Sequence, residues 1–131
     1  MKHLCLNCEE ADMVRGRKDK VVEYRGGRIT VAAVDGWHCP RCGEIEFARG
    51  EGKRYARAVE KLREATDKKE SAELARIRKK LKLTQRQAAA IAGGGVNAFS
   101  RYETGRARPV AAVVNLFRIL DKHPELVDEI G

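Results

Sequence analysis

Four cysteines occur in two pairs with the same spacing, Cys5 and Cys8 in CLNC and Cys39 and Cys42 in CPRC. A CxxC turn places two thiolates on one side of the backbone, and two such turns complete a tetrahedral shell of four sulfurs. This donor set is typical of structural zinc, because it leaves no coordination position open for a substrate. The sequence therefore predicts one structural Zn²⁺ ion bound by Cys5, Cys8, Cys39 and Cys42.

A thioredoxin-like redox pair and a disulfide framework are the alternatives for these cysteines. We expect a cytoplasmic protein, since no N-terminal apolar segment resembles a signal peptide and no apolar run is long enough to span a bilayer. Paired disulfides are rare in that compartment. His3 and His38 flank the cysteines and could each replace one ligand, although such histidines more often lie beside the site. No Ser/His/Asp or paired-carboxylate site is evident, so we expect no enzyme activity.

The residues between the two cysteine pairs are predicted to form a small β-sheet. Val22 is expected to pair with Val31. Tyr24 then lies opposite Ile29, and a two-residue turn at Gly26-Gly27 joins the strands. So small a sheet buries little apolar surface, and a bound metal can supply much of its folding free energy.

Positive charge is concentrated in the second half of the chain. The formal net charge is +8, and residues 76–108 hold nine basic residues against one acidic residue, Glu103. A run of basic residues is usually only a solvated helix face. Here the basic run coincides with the glycine-rich segment 93–105, and this favours a nucleic-acid partner. Aromatic residues make up only 5% of the chain, which favours a helical, alanine-rich core.

Helical spacing predicts an amphipathic helix over residues 51–66. The charged segment 67–70 is predicted to be a domain boundary or a flexible hinge. A further helix over 71–81 is predicted to begin with Ser71 as its N-cap.

The next helix, 83–92, is predicted to begin with a capping box formed by Thr84 and Gln87. Glycines 93–95 follow it and allow a tight turn into another helix.

On a helical wheel, Val96, Phe99 and Tyr102 share one face of this second helix. Asn97 and Arg101 lie on the opposite face, one turn apart. Asn can pair bidentately with adenine and Arg with guanine, so this is the pattern of a recognition helix that contacts base edges in the major groove. The sequence predicts Asn97 and Arg101 as base-reading residues. Side chains predicted to contact or flank phosphate are Arg78, Lys79, Arg86, Ser100 and Arg106.

The segment TQRQAAAIAGGGVNAFSRYETGRARP resembles the Cro/C1-type (XRE) helix–turn–helix family. The resemblance places Gly95 at the N-cap position of the second helix, where that family usually has Ser. Gly105 is expected to end the recognition helix, and Pro109 to begin the next helix as its first residue. The segment 110–130 carries more apolar residues than a minimal helix–turn–helix needs, which favours a homodimer through the C-terminal domain.

Over its whole length the chain resembles the MqsA-type antitoxins, which have an N-terminal zinc-binding domain with two CxxC pairs and a C-terminal XRE domain. Besides the cysteines, the matching segments are GGGVNAFSRYE (93–103) and LDKHPEL (120–126). We therefore expect an α+β protein. A small zinc-bound β domain over residues 1–67 precedes an all-α, lambda repressor-like helix–turn–helix domain over residues 68–131.

The resemblance implies an antitoxin that neutralises an MqsR-type, mRNA-cleaving toxin through its zinc domain. It also implies a homodimer that represses its own operon on a palindromic operator, with Asn97 and Arg101 as base-reading residues. The alternative is an XRE-family transcriptional regulator whose zinc domain binds a ligand or another protein, outside any toxin–antitoxin pair.

Overall fold

The computed structural model describes residues 2–130, in which a three-stranded sheet precedes a series of helices. The chain divides into two compact units, Met1–Arg63 (unit 1) and Glu64–Gly131 (unit 2). The boundary predicted after residue 67 lies inside unit 2. The predicted fold class, a small β domain with the cysteines followed by helices, is confirmed. The elements are β1 (Val14–Tyr24), β2 (Gly27–His38), β3 (Ile45–Phe47), α1 (Glu51–Lys80), α2 (Gln85–Ala92), α3 (Ala98–Thr104), α4 (Ala111–Lys122) and a 3-10 helix (Pro124–Glu129).

The strands form an antiparallel sheet in the order β1-β2-β3. The hairpin was predicted correctly, but its register was not, because Val22 pairs with Ile29 rather than with Val31. The turn consists of Arg25 and Gly26, whose φ angles are 48° and 86°. A two-residue turn that suits the twist of a hairpin needs positive φ at both central positions. Arg25 adopts that conformation, so the turn lies one residue before the predicted pair of glycines.

Strand β3 approaches β2 so closely that one position admits only glycine. A Cβ atom added at Gly36 would lie 2.2 Å from the carbonyl oxygen of Glu46. The beginning of α1 is held against β2, because the backbone N–H of Asp35 in β2 donates to a carboxylate oxygen of Glu51 at 2.8 Å. The side chain of Arg54 also donates to Glu51 and lowers the pKa of that carboxyl to about 2.

Helix α1 is continuous from Glu51 to Lys80, and the segment 67–70 lies within it. The separate helix predicted over 71–81 and its N-cap at Ser71 are therefore wrong. The buried residues of α1 follow one face at helical spacing through the charged segment. Two of them, Thr66 and Glu70, are polar, so the apolar residues alone do not continue the pattern through the charged segment. The buried residues of α1 are Leu62, Thr66, Glu70, Leu74 and Ile77.

The core of unit 2 joins α1, α2, α3 and α4. The ring of Phe99 is fully buried and lies 4.8 Å, centroid to centroid, from that of Phe117. Within residues 2–130, every helix is too short or too polar to cross a membrane. The central buried residues are Leu74, Ile77, Ala88, Phe99, Val113 and Phe117.

Candidate metal centre and nucleic-acid interface

Two similar turns position the four cysteines at one end of the sheet. In the first, which precedes β1, the Glu9 N–H donates to the carbonyl of Cys5 at 2.9 Å. In the second, which follows β2, the Gly43 N–H donates to the carbonyl of Cys39 at 3.1 Å. Gly43 has a φ of 80°, which a residue with a side chain rarely adopts. The CxxC spacing therefore produces the same local geometry twice.

The four sulfur atoms lie within 4.8 Å of one another. The Sγ atoms of Cys5 and Cys42 are 3.6 Å apart, and those of Cys8 and Cys39 are 3.7 Å apart. All four are free thiols rather than disulfides. Zn–S bonds of about 2.3 Å in a tetrahedron separate the sulfurs by about 3.8 Å, so the cluster has the dimensions of a tetrahedral thiolate site.

Hydrogen bonds around the sulfurs favour the thiolate form of two cysteines. The backbone N–H of Cys42 donates to the sulfur of Cys39 at 3.5 Å and is the largest cause lowering the pKa of Cys39 to about 6. The Asn7 amide donates to the sulfur of Cys42 at 3.6 Å and lowers the pKa of that thiol. The Cys5 thiol behaves differently. The backbone N–H of Cys8 lowers its pKa, but burial and the neighbouring sulfurs outweigh that effect and raise it to about 11.

The two nearby histidines lie outside this donor set. The His3 ring stacks on Trp37 with centroids 4.1 Å apart, and its Nε2 contacts the carboxylate of Glu46. The ring of His38 is fully buried, and its Nε2 contacts the carbonyl of Val34 at 2.9 Å. Both histidines therefore have structural partners within the sheet.

In unit 2, the predicted capping box at the start of α2 is confirmed. The Gln87 N–H donates to the hydroxyl of Thr84 at 3.0 Å, and the Thr84 N–H donates to the amide oxygen of Gln87 at 2.8 Å. After α2 come glycines 93–95, with φ angles of 82°, 90° and 93°. This backbone is accessible to glycine and strained for other residues, which explains why three glycines separate the helices.

Helix α3 begins later than predicted, and this corrects two expectations. Asn97, rather than Gly95, occupies the N-cap position. Val96 therefore precedes the helix and is 59% exposed instead of buried. Ala98 takes its place as a buried residue beside Phe99. The helical wheel was wrong at Val96 because that residue belongs to the turn.

The side chains predicted to read bases are both exposed. Asn97 makes no capping hydrogen bond with its side chain. The guanidinium of Arg101, one turn farther along, lies 3.5 Å from the carbonyl oxygen of Gly94. Ser100 is half-buried on the flank of α3. Gly105, with φ 78°, ends the helix as predicted.

Four of the nine basic residues in 76–108 form ion pairs with acidic residues. In three of these ion pairs the acidic residue lies outside that segment. Arg76 and Lys80 both bind Asp121. Arg108 binds Asp67, and Arg78 binds Glu103. Within residues 2–130, the remaining five form no ion pair; they are Lys79, Lys82, Arg86, Arg101 and Arg106.

Arg78 differs from the other predicted phosphate contacts. Its side chain is 14% exposed, and that of Glu103 is 9% exposed. The guanidinium donates to both carboxylate oxygens of Glu103, at 2.8 and 3.0 Å, and to the carbonyl of Leu83 at 3.0 Å. These bonds occupy the Arg78 guanidinium inside unit 2, which argues against a contact between Arg78 and DNA.

The C-terminal helix begins at Ala111, with Val110 at the N-cap, so Pro109 is not its first residue. Several apolar side chains considered for a dimer interface belong instead to the core of a single chain. Those of Val113, Val114, Phe117 and Leu120 are buried. On the outside of this segment, Val110 is 66% and Ile119 is 51% exposed.

Comparison with known proteins extends these observations. A family model described as the antitoxin component of a bacterial toxin–antitoxin system, MqsA, matches residues 1–131. Antitoxin MqsA from Escherichia coli (strain K12) is 40% identical over 128 residues, which cover 96% of this chain and 98% of the relative. The solved N-terminal domain of the E. coli protein MqsA is 25% identical with a TM-score of 0.43, over 48% of this chain and 94% of that chain. The two sequence matches confirm the resemblance inferred from the motifs. The chain belongs to the MqsA family of antitoxins, which are regulators rather than enzymes.

Proposed function

We propose that the four-thiol cluster binds one Zn²⁺ ion that stabilises unit 1. Support comes from the sulfur separations of 3.6 and 3.7 Å and from the position of all four sulfurs within 4.8 Å of one another. A bound ion would cross-link the turn before β1 to the turn after β2. Its role is structural, because four sulfurs fill the coordination shell.

Unit 2 is proposed to bind double-stranded DNA through α2 and α3. Phe99 anchors α3 in the core while Asn97 and Arg101 remain exposed one turn apart. An amide and a guanidinium in these positions can form bidentate hydrogen bonds with adenine and guanine in the major groove. The proposed phosphate contacts are Lys79, Arg86 and Arg106, with Ser100 at the flank.

The chain is proposed to be a cytoplasmic antitoxin with two binding activities. Unit 1 binds and neutralises an MqsR-type, mRNA-cleaving toxin. Unit 2 represses the operon that encodes the pair by binding a palindromic operator as a homodimer, with half-sites about 34 Å or a multiple apart. The observation that carries the DNA-binding part is the exposure of Asn97 and Arg101 on a helix fixed by Phe99.

The DNA-binding part is tested with DNA from upstream of the gene and with shuffled DNA of the same composition. Arg101→Ala should cost about 1–3 kcal/mol and reduce the preference for the upstream sequence. Lys79→Ala should weaken binding to both DNAs and flatten the salt dependence. Equal loss on both DNAs with Arg101→Ala would show that Arg101 does not read sequence.

The toxin-binding part is tested with the product of the neighbouring gene and a labelled mRNA. The full-length chain should copurify with that product and block its cleavage of the mRNA. The control is the double variant Asn97→Ala/Arg101→Ala, which should lose operator binding and still block cleavage. A chain that binds its upstream DNA but neither binds nor inhibits the neighbouring product would be an XRE-type regulator with another zinc-domain partner.

A further inference from the structure

Val96 is a large apolar residue on the surface of unit 2. Single exposed apolar residues are common and need no explanation by themselves. This one lies directly beside Asn97, in the turn that leads into α3. Val96 is 59% exposed, whereas the two residues after Asn97, which are Ala98 and Phe99, are 1% and 0% exposed.

A hydrogen-bonded turn fixes the backbone at Val96 and Asn97. The Ala98 N–H donates to the carbonyl of Gly95 at 3.1 Å, so Val96 and Asn97 occupy the two central positions of a four-residue turn. Asn97 has φ −99° and ψ 3°, close to the values of the third residue in a type I turn. Both central side chains are exposed.

Residues 93–95, which precede Val96, are glycines without side chains of their own. The guanidinium of Arg101 lies 3.5 Å from the carbonyl oxygen of Gly94, so this proposed base-reading residue adjoins the same turn as Val96. The β-branched side chain of Val96 has a restricted χ1 angle, so it can present two methyl groups with little loss of conformational entropy.

We propose that Val96 contacts the 5-methyl group of a thymine in the major groove, close to the base that Asn97 reads, and so contributes to operator specificity. The inference rests on the proposed DNA binding by α3. Thymine is the DNA base that presents a methyl group in the major groove, and an apolar side chain distinguishes it through that group. Burial of one methyl group corresponds to about a fourfold change in affinity.

The test combines a substitution in the protein with the removal of one methyl group from the DNA. Each thymine of the upstream binding site is replaced in turn by uracil, which removes only the 5-methyl group. With the wild-type chain, uracil at one position of each half-site should weaken binding about fourfold per half-site. Val96→Ala should bind thymine and uracil at that position equally well. Val96→Thr retains a methyl group and should keep part of the discrimination.

The matched control is Val110→Ala, an equally small change at another exposed valine of unit 2. It should retain the full response to uracil. The inference is overturned if Val96→Ala responds to uracil as the wild type does, or if it changes only the association state in sedimentation experiments. A wild-type chain that does not prefer its upstream DNA to shuffled DNA overturns the proposed function itself, which separates the two failures.

Discussion

The ion pair between Arg78 and Glu103 allows a quantitative test of how α3 is held. It is bidentate, with both distances at or below 3.0 Å, and it joins the last turns of α1 to the helix that carries Arg101. Its side chains are 14% and 9% exposed. Removal of one partner from such a pair leaves the other charge buried and uncompensated, which typically costs about 3–5 kcal/mol.

We therefore expect Glu103→Gln to lower the free energy of unfolding of unit 2 by about 3 kcal/mol or more. For a domain of 60–100 residues, each kcal/mol corresponds to about 4–8 °C in Tm. The expected decrease is therefore at least about 12 °C. Urea titration followed by circular dichroism measures the free energy, and a thermal scan measures the Tm.

The chain contains a matched control in the pair Arg118–Glu73. This pair has a similar two-point geometry, with distances of 2.7 and 3.2 Å, but its side chains are 43% and 23% exposed. Glu73→Gln should cost only about 0–1 kcal/mol, because water screens an exposed pair. Equal losses for Glu103→Gln and Glu73→Gln would refute the argument from burial.

The double variant Arg78→Met/Glu103→Leu tests the same pair without a buried charge. Apolar replacements of similar size often restore stability, so most of the loss should be recovered. The same variant tests whether Arg78 contacts DNA. If Arg78 contacts no phosphate, the slope of log K against log[salt] should remain that of the wild type. Arg106→Ala should reduce the slope by about 0.9 in magnitude.

Three further perturbations test the core, the metal site and the charge network. Phe99→Ala removes a fully buried ring and should lower the free energy of unfolding by about 3–5 kcal/mol in a urea titration. The purified chain should contain one zinc per molecule by elemental analysis. Removal of the zinc by a chelator should unfold unit 1 and change the near-ultraviolet circular dichroism of Trp37, which stacks on His3, while most of the helical far-ultraviolet signal remains; an unchanged near-ultraviolet spectrum would argue against a structural ion. Arg76, and then Lys80, lower the pKa of Asp121 to about 2. The stabilisation is therefore present above the unfolded-state pKa of about 3.9 and is lost as the pH falls toward 2. Asp121→Asn should have a Tm that falls less between pH 5 and pH 2 than that of the wild type, and an identical fall would contradict this assignment.

Local features of the chain were predictable where neighbouring residues provide the whole interaction. The capping box at Thr84 and Gln87 and the helix end at Gly105 involve atoms within a few residues of one another. Their formation depends on residue type and spacing, which the sequence contains. The grouping of the cysteines followed in the same way from two local turns and one hairpin. The hairpin register was missed because Arg25 adopts a positive φ that its residue type does not favour.

The amino-acid sequence was enough to predict the glycine turn and each CxxC turn, because these depend on spacing within one short segment, and one hairpin then joins the two CxxC turns. The packing of distant segments sets which basic residues are held in ion pairs. Asp121 lies 45 residues from Arg76, and Glu103 lies 25 residues from Arg78. Val96 is exposed because α3 begins only at Ala98, which leaves Val96 in the preceding turn. Charge pairing and burial depend on which distant segments pack together, and residue spacing along the chain does not contain that information.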